Sequence, residues 1–162
     1  MNRFKTFLLL AITFILQTTI FSKIDIYGAN VNLFIPAVLA LSQVLANKTS
    51  AYGSLIVGLF EDFLFTSFVG VRALSYFLIS SFVSNSRFKI SKDKPAGFMM
   101  TFLATVFNFL LVSLIYNIFG TKISLMNYLP APLLIEAILN SLLYLIFQSI
   151  VKKVMYLPTY RI

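Results

Sequence analysis

Long runs of apolar residues, separated by short polar segments, make up most of the chain. The runs are continuous, which predicts transmembrane helices, because the strands of a membrane β-barrel alternate apolar and polar residues. Six spans can be placed, from Thr6 to Phe21, Val31 to Ala46, Ala51 to Phe68, Val71 to Val83, Phe98 to Phe119 and Leu129 to Val151. The pattern predicts an all-α polytopic bundle of about six spans, a single integral membrane domain over residues 1–162, with a re-entrant fourth segment as the alternative.

The composition agrees with a surface that faces lipid. Hydrophobic residues make up 59% of the 162 residues and charged residues 11%, whereas a soluble domain carries about 25% charged residues. The chain contains neither Cys nor His, which excludes disulfides and removes the commonest general base and transition-metal ligand. We therefore expect no catalytic residues, no metal site and no cofactor, in a protein that is not an enzyme.

Basic residues are distributed unequally between the two sides of the predicted bundle. Ten fall on one side, namely Arg3, Lys5, Lys48, Arg87, Lys89, Lys92, Lys94, Lys152, Lys153 and Arg161. Three fall on the other, namely Lys23, Arg72 and Lys122. Because cytoplasmic loops of membrane proteins are enriched in Lys and Arg, we predict that both termini are cytoplasmic. We interpret the net charge of +8 as this topological signal, and we expect no binding to nucleic acid.

Four charged residues fall inside or at the ends of the predicted spans. Glu61 and Asp62 lie in the third span, Arg72 opens the fourth, and Glu136 lies in the sixth. A charged side chain near the bilayer centre costs about 2.5–3.5 kcal/mol on insertion scales. Pairing Arg72 with Asp62 or Glu61 would reduce that cost, because the turn around Gly70 is short. We expect a structural ion pair, with a ligand or ion site and snorkelling to the membrane surface as alternatives.

Polar residues also recur at helical spacing within the spans. The stripes are Glu136, Asn140, Tyr144 and Gln148 in the sixth, Arg72, Tyr76, Ser80 and Ser84 in the fourth, Thr101, Thr105 and Asn108 in the fifth, and Thr13 and Gln17 in the first. Such stripes are typical of helix faces that hydrogen-bond to neighbouring helices, an interpretation we favour over a substrate path. Gly53 and Gly58 in the third span would let another backbone approach, so we expect a partner contact or a close-packing site there.

The segment from Gly53 to Phe82 resembles the rod-shape-determining MreD family of bacteria. It carries a G-L-x-x-D signature, a turn with glycine and an A-L pair, here at Gly58, Leu59, Asp62, Gly70, Ala73 and Leu74. Further family-like features are Leu16-Gln17 in the first helix and Asn32-Leu33 opening the second. The chain departs from the pattern at Val31, where the family often has Pro.

The resemblance implies a non-enzymatic scaffold in the bacterial inner membrane that serves the cell-elongation machinery, which determines rod shape and synthesises peptidoglycan. The implied partners are an MreC-like single-span membrane protein, the wall synthases RodA and a penicillin-binding protein, and, indirectly, the MreB cytoskeleton. Membrane lipid and a second copy of the chain are further expected partners. The candidate structural or partner-binding residues are Gln17, Asn32, Gly53, Gly58, Asp62, Gly70, Arg72 and Glu136.

The alternative function is the substrate-binding membrane subunit of an energy-coupling-factor vitamin transporter. Those subunits are six-helix proteins of similar size, and the resemblance implies a fold similar to theirs. They usually carry an A-x-x-x-A-type patch in the first helix for docking the coupling subunit. Between Phe7 and Phe21 this chain has only Ala11, which favours the scaffold.

Overall fold

The computed structural model describes residues 3–85, 93–120 and 130–154. Over these residues the chain forms six α-helices, namely α1 (Arg3–Thr19), α2 (Phe34–Ser42), α3 (Asn47–Phe65), α4 (Val71–Val83), α5 (Lys94–Ile118) and α6 (Ala131–Val154). The predicted all-helical architecture is confirmed, and α4 has the bounds predicted for the fourth segment. The basic residues Arg87, Lys89, Lys92, Lys122 and Arg161 lie outside the described residues.

A short β-hairpin joins α1 to α2. After a 3-10 turn (Phe21–Lys23), β1 (Asp25–Ile26) pairs antiparallel with β2 (Ala29–Asn30). The two turn residues have positive φ angles, 53° at Tyr27 and 82° at Gly28, as the tightest hairpin turns require. The Asp25 carboxylate accepts a hydrogen bond from the Gly28 N–H at 2.6 Å and closes the turn.

Helix α2 forms the core of the bundle. All nine of its residues are buried, and it contacts α1, α3, α4, α5 and α6. At 1.5 Å per residue it is about 14 Å long, whereas the hydrocarbon core of a bilayer is about 30 Å thick. The predicted second span, Val31 to Ala46, is therefore longer than the helix that forms, because α2 ends at Ser42 and a turn leads into α3.

The other helices surround α2. Helices α3 and α4 pack against each other as one pair, and α5 and α6 form a second. Helix α1 packs on α2 and is the least buried of the three long apolar helices. The Lys5 ammonium donates a hydrogen bond to the Val154 carbonyl at 3.1 Å. The start of α1 and the end of α6 therefore meet at one end of the bundle.

The bundle exposes apolar side chains and buries polar ones. Phe7, Phe63 and Leu114 are exposed, whereas Glu61 and Asn140 are buried. Of the described helical segments, three are long and apolar enough to cross a membrane, namely Phe4–Lys23, Lys94–Ile118 and Ala131–Val154. Helix α4 is apolar but shorter. A lipid-facing exterior follows from this arrangement, while the count of six spans stays a prediction.

Candidate functional site

Most of the candidate residues meet at one end of the bundle, where α1 and α3 end and α4 begins. We call this group the polar cluster; it comprises Gln17, Asn32, Glu61, Asp62, Gly70, Arg72, Tyr76, Asn108, Glu136 and Asn140. Six of these were candidates from the sequence. The two remaining candidates, Gly53 and Gly58, precede Glu61 on the same helix, α3.

Glu61 is the ion-pair partner of Arg72. The guanidinium donates from Nη1 to Glu61 Oε1. The Tyr76 hydroxyl donates to Glu61 Oε2 at 2.5 Å, and Asn32 Nδ2 donates to Oε1 at 3.0 Å. Because Glu61 is only 1% exposed, these donors replace the water that the carboxylate loses on burial. Of the two pairings considered for Arg72, the protein forms this one and not the one with Asp62.

Asp62 instead caps the start of α4. Its Oδ2 accepts hydrogen bonds from the N–H groups of Gly70 and Arg72 at 2.9 Å and of Ala73 at 3.2 Å. The first N–H groups of a helix have no partner within the helix, and a carboxylate there also interacts favourably with the helix dipole. Gly70 has a φ of 106°, a conformation that glycine adopts readily. Asp62 and Gly70 together therefore turn the chain from α3 into α4.

Gln17 and Asn32 hold the segment that precedes α2. Gln17 Nε2 donates to the Val31 carbonyl at 3.1 Å, and Gln17 Oε1 accepts from the Leu33 N–H at 2.8 Å. Asn32 Oδ1 accepts from the Phe34 N–H at 2.8 Å, at the first residue of α2. Buried backbone groups need such partners, because no water reaches them. The described contacts of both candidates are therefore structural.

A polar cavity of about 350 Å³ lies beside the cluster. Its lining includes Glu61, Arg72, Asn108 and Glu136. Within the described residues, Glu136 has no cation within ion-pair distance. Asn108 is 9% exposed, and its Oδ1 accepts no hydrogen bond from any described group. Glu136 has a side-chain hydrogen bond with Asn140, and the Asn108 Oδ1 is enclosed by the protein and does not face the cavity.

The two glycines of α3 have different surroundings. A Cβ atom at Gly58 would lie 2.4 Å from Ala73 Cα and 2.7 Å from Ala73 N, whereas a Cβ at Gly53 would meet no atom within 4 Å. Gly58 is therefore a close-packing site between α3 and α4. Gly53 borders a groove between α1 and α3.

The contacts explain the motif shared by α3 and α4. Gly58 and Ala73 pack against each other, and Asp62 and Gly70 build the turn. Leu59 and Leu74 of the same motif are exposed on the outer surface. The motif therefore specifies a helical hairpin.

Sequence reasoning missed three buried polar contacts elsewhere in the bundle. Ser50 and Ser80 hydroxyls hydrogen-bond at 2.6 Å, and Ser42 donates to Ser80 at 2.9 Å. The Tyr144 hydroxyl donates to Gln43 Oε1 at 2.6 Å. Ser80 and Tyr144 lie in the polar stripes, which was a usable signal. Two of their partners, Ser42 and Gln43, lie at the end of the nine-residue α2 or just beyond it, where spacing carries no information. The third, Ser50, lies in the first four residues of α3.

Comparison with known proteins identifies the family. The family model described as rod shape-determining protein MreD matches residues 1–154, from before α1 to the last residue of α6. No curated protein and no solved structure matches the chain, so the expected similarity to energy-coupling-factor subunits is not confirmed. The matched family is a family of membrane proteins, which is consistent with the three long apolar helices of this chain. The chain belongs to the MreD family, whose role is the determination of rod shape.

Proposed function

We propose that the protein is a non-enzymatic inner-membrane scaffold of the bacterial cell-elongation machinery. It binds an MreC-like single-span protein and, with it, the wall synthases RodA and a penicillin-binding protein, and indirectly the MreB cytoskeleton. The observation that carries the proposal is the family match over residues 1–154. Among the described residues, the longest segment between two α-helices is residues 20–33, so recognition by helix faces is the natural mode of contact.

We propose the groove between α1 and α3 as the contact surface for the partner's helix. The groove has a volume of about 660 Å³ and is lined mainly by apolar side chains, among them Leu10, Val38 and Val57. It lies beside α1, the least buried of the long apolar helices. Gly53 borders the groove and leaves open space. In lipid, helices associate by close packing at such small residues.

Replacing Gly53 with leucine should weaken partner binding without unfolding the scaffold. The new side chain would occupy the groove that the partner's helix is proposed to fill. A loss of about 1.4 kcal/mol of binding free energy lowers affinity tenfold. We expect recovery of the MreC-like protein to fall about tenfold or more in affinity purification from mild detergent. The amount of scaffold in the membrane should stay unchanged, because a Cβ at this position meets no atom.

Ser149→Leu is the matched control for that experiment. Ser149 is exposed on α6, near the helix end that meets the start of α1, and it is not among the residues that line the groove. The control should recover the partner as well as the wild type does. Undiminished recovery with Gly53→Leu would contradict the groove as the contact surface.

We also propose that the chain crosses the membrane several times, with both termini in the cytoplasm. The basic residues at the end of α6, Lys152 and Lys153, and the contact between Lys5 and Val154 support this orientation. Reporter fusions after Lys92 and after Lys153 should both read as cytoplasmic, and a fusion near Lys122 as external. Opposite readings for Lys92 and Lys153 would contradict an even number of crossings between these two positions.

A further inference from the structure

A second apolar groove lies between α4 and α5. Its volume of about 630 Å³ is within the range of small-molecule pockets. Its lining includes the buried side chains of Ile79, Val83 and Ala104 and the exposed rings of Phe82 and Phe107. The groove is therefore an apolar recess on the lipid-facing surface of the bundle.

The groove lies toward the end of the bundle where α4 ends and α5 begins. Its lining residues belong to the last two turns of α4 and the first half of α5. The start of α3 lies at the same end, because the Ser84 hydroxyl donates to Asn47 Oδ1 at 3.1 Å. Lys48 follows Asn47, and Lys94 is the first residue of α5; both are exposed. Neither lysine pairs with a carboxylate among the described residues.

Positive charge dominates this end of the bundle. The end of α6 lies there too, since Gly97 of α5 packs against the Tyr144 side chain. The described lysines at this end are Lys5, Lys48, Lys94, Lys152 and Lys153, and Asp93 is the one carboxylate in the described part of the same end. The other described carboxylates, Asp25, Glu61, Asp62 and Glu136, lie toward the opposite end. A negatively charged lipid headgroup is therefore attracted to the end that the groove approaches.

We propose that an anionic phospholipid occupies this groove, with an acyl chain between α4 and α5 and its phosphate near Lys48 and Lys94. The apolar lining suits the chain, and the ammonium groups suit the phosphate. A transmembrane helix fits less well, because helices associate in lipid at small residues. Of the described residues that line the groove, Ala104 alone is small. The inference rests on this groove and its charges and does not depend on the scaffold function.

The first test measures selectivity for the headgroup. The purified full-length protein is delipidated in mild detergent and titrated with phosphatidylglycerol or phosphatidylethanolamine of identical acyl chains, and bound lipid is counted by native mass spectrometry. We expect about one phosphatidylglycerol per chain, bound about tenfold more tightly than phosphatidylethanolamine. Equal affinity for the two lipids would overturn the proposal.

Variants of single exposed lysines locate the headgroup. Lys48→Gln and Lys94→Gln should each weaken binding of phosphatidylglycerol roughly fivefold, because each removes one positive charge near the phosphate. Lys23→Gln is the matched control, since Lys23 is exposed at the opposite end of the bundle, and it should bind as the wild type does. Equal weakening by all three changes would overturn the proposed position of the headgroup.

The second test locates the acyl chain. The chain contains no Trp, so Leu103→Trp places a single fluorophore in the groove lining. Ile146→Trp is the matched control, because Ile146 lies on α6 outside the groove and is 57% exposed, against 56% for Leu103. Both variants are placed in phosphatidylethanolamine bilayers that contain a small fraction of phosphatidylglycerol with brominated acyl chains, which quench Trp fluorescence on contact.

We expect stronger quenching of Leu103→Trp than of Ile146→Trp, and its reversal by excess unbrominated phosphatidylglycerol. Equal quenching of the two variants would mean that the groove contacts lipid only as the rest of the surface does, and would overturn the proposal. A dimer in native mass spectrometry that Leu103→Trp dissociates would also overturn it, because a second copy of the chain would then fill the groove.

Discussion

Replacing Gly58 with leucine should deplete the protein from the membrane. A Cβ atom at this position would lie 2.4 Å from the Cα of Ala73, so the contact is with backbone that no rotamer change can relieve. The bulkier side chain must separate α3 from α4, the most closely associated helix pair. Overpacking of a core typically costs 1–3 kcal/mol, and we expect about 3 kcal/mol or more for this backbone clash. Quantitative immunoblotting of membranes and the Tm of the purified protein are the measurements.

Gly53→Leu is the internal control, because it adds the same atoms to the same helix where there is open space. Its abundance and Tm should match those of the wild type. Normal accumulation and melting of Gly58→Leu would mean that α3 and α4 do not pack as closely as described.

Removing the charge of Glu61 should destabilise the protein through Arg72. Glu61→Gln leaves the guanidinium without its counter-ion, and breaking a buried pair typically costs 3–5 kcal/mol. Since the Arg72 side chain is 29% exposed, we expect a loss at the lower end, about 3 kcal/mol. The double variant Glu61→Gln with Arg72→Leu should be less harmful than Glu61→Gln alone, because it removes both charges. Membrane abundance and thermal unfolding measure the effect.

The corresponding comparison at Asp62, of Asp62→Ala alone and together with Arg72→Leu, should give a different result. Asp62→Ala deprives Gly70, Arg72 and Ala73 of an acceptor for their N–H groups, and a backbone donor is unaffected by the side chain at position 72. Arg72→Leu should therefore not rescue Asp62→Ala. Rescue as strong as that of Glu61→Gln would mean that Arg72 pairs with Asp62.

The difference between Glu61 and Asp62 explains why the sequence left their roles open. Adjacent residues on an α-helix project about 100° apart, so only one of the two carboxylates can face the Arg72 guanidinium. Which one does so depends on the rotation of α3 and on the geometry of the turn at Gly70. Charge and spacing predicted an ion pair at this turn, but they could not specify its acidic member.

Helix α2 shows a second limit of prediction from the sequence. An apolar run from Val31 to Ala46 is as suited to the centre of a protein as to contact with lipid, because both environments favour the same side chains. The chain buries all of α2 and leaves it nine residues long. By contrast, α4 has the predicted bounds because Gly70 and Asp62 fix its start. The sequence therefore predicts the bounds of a helix correctly where a capping or turn residue marks the end of that helix.

The polar cluster was predictable only in part. The stripes identified Gln17, Asn108 and Glu136 as inward-facing, since polar side chains at helical spacing favour one side of a helix. They could not indicate that Asn108 and Glu136 line one cavity, because those residues lie on different helices. Contacts between helices depend on how the helices pack around α2.

The most direct test of the scaffold role is to identify what the wild-type protein binds. The protein is purified by affinity from mild detergent, and every co-purifying protein is quantified by mass spectrometry. We expect an MreC-like single-span protein in near-stoichiometric amount, with RodA and a penicillin-binding protein in smaller amounts. A stoichiometric ATPase module in place of these proteins would contradict the scaffold and support a transporter subunit.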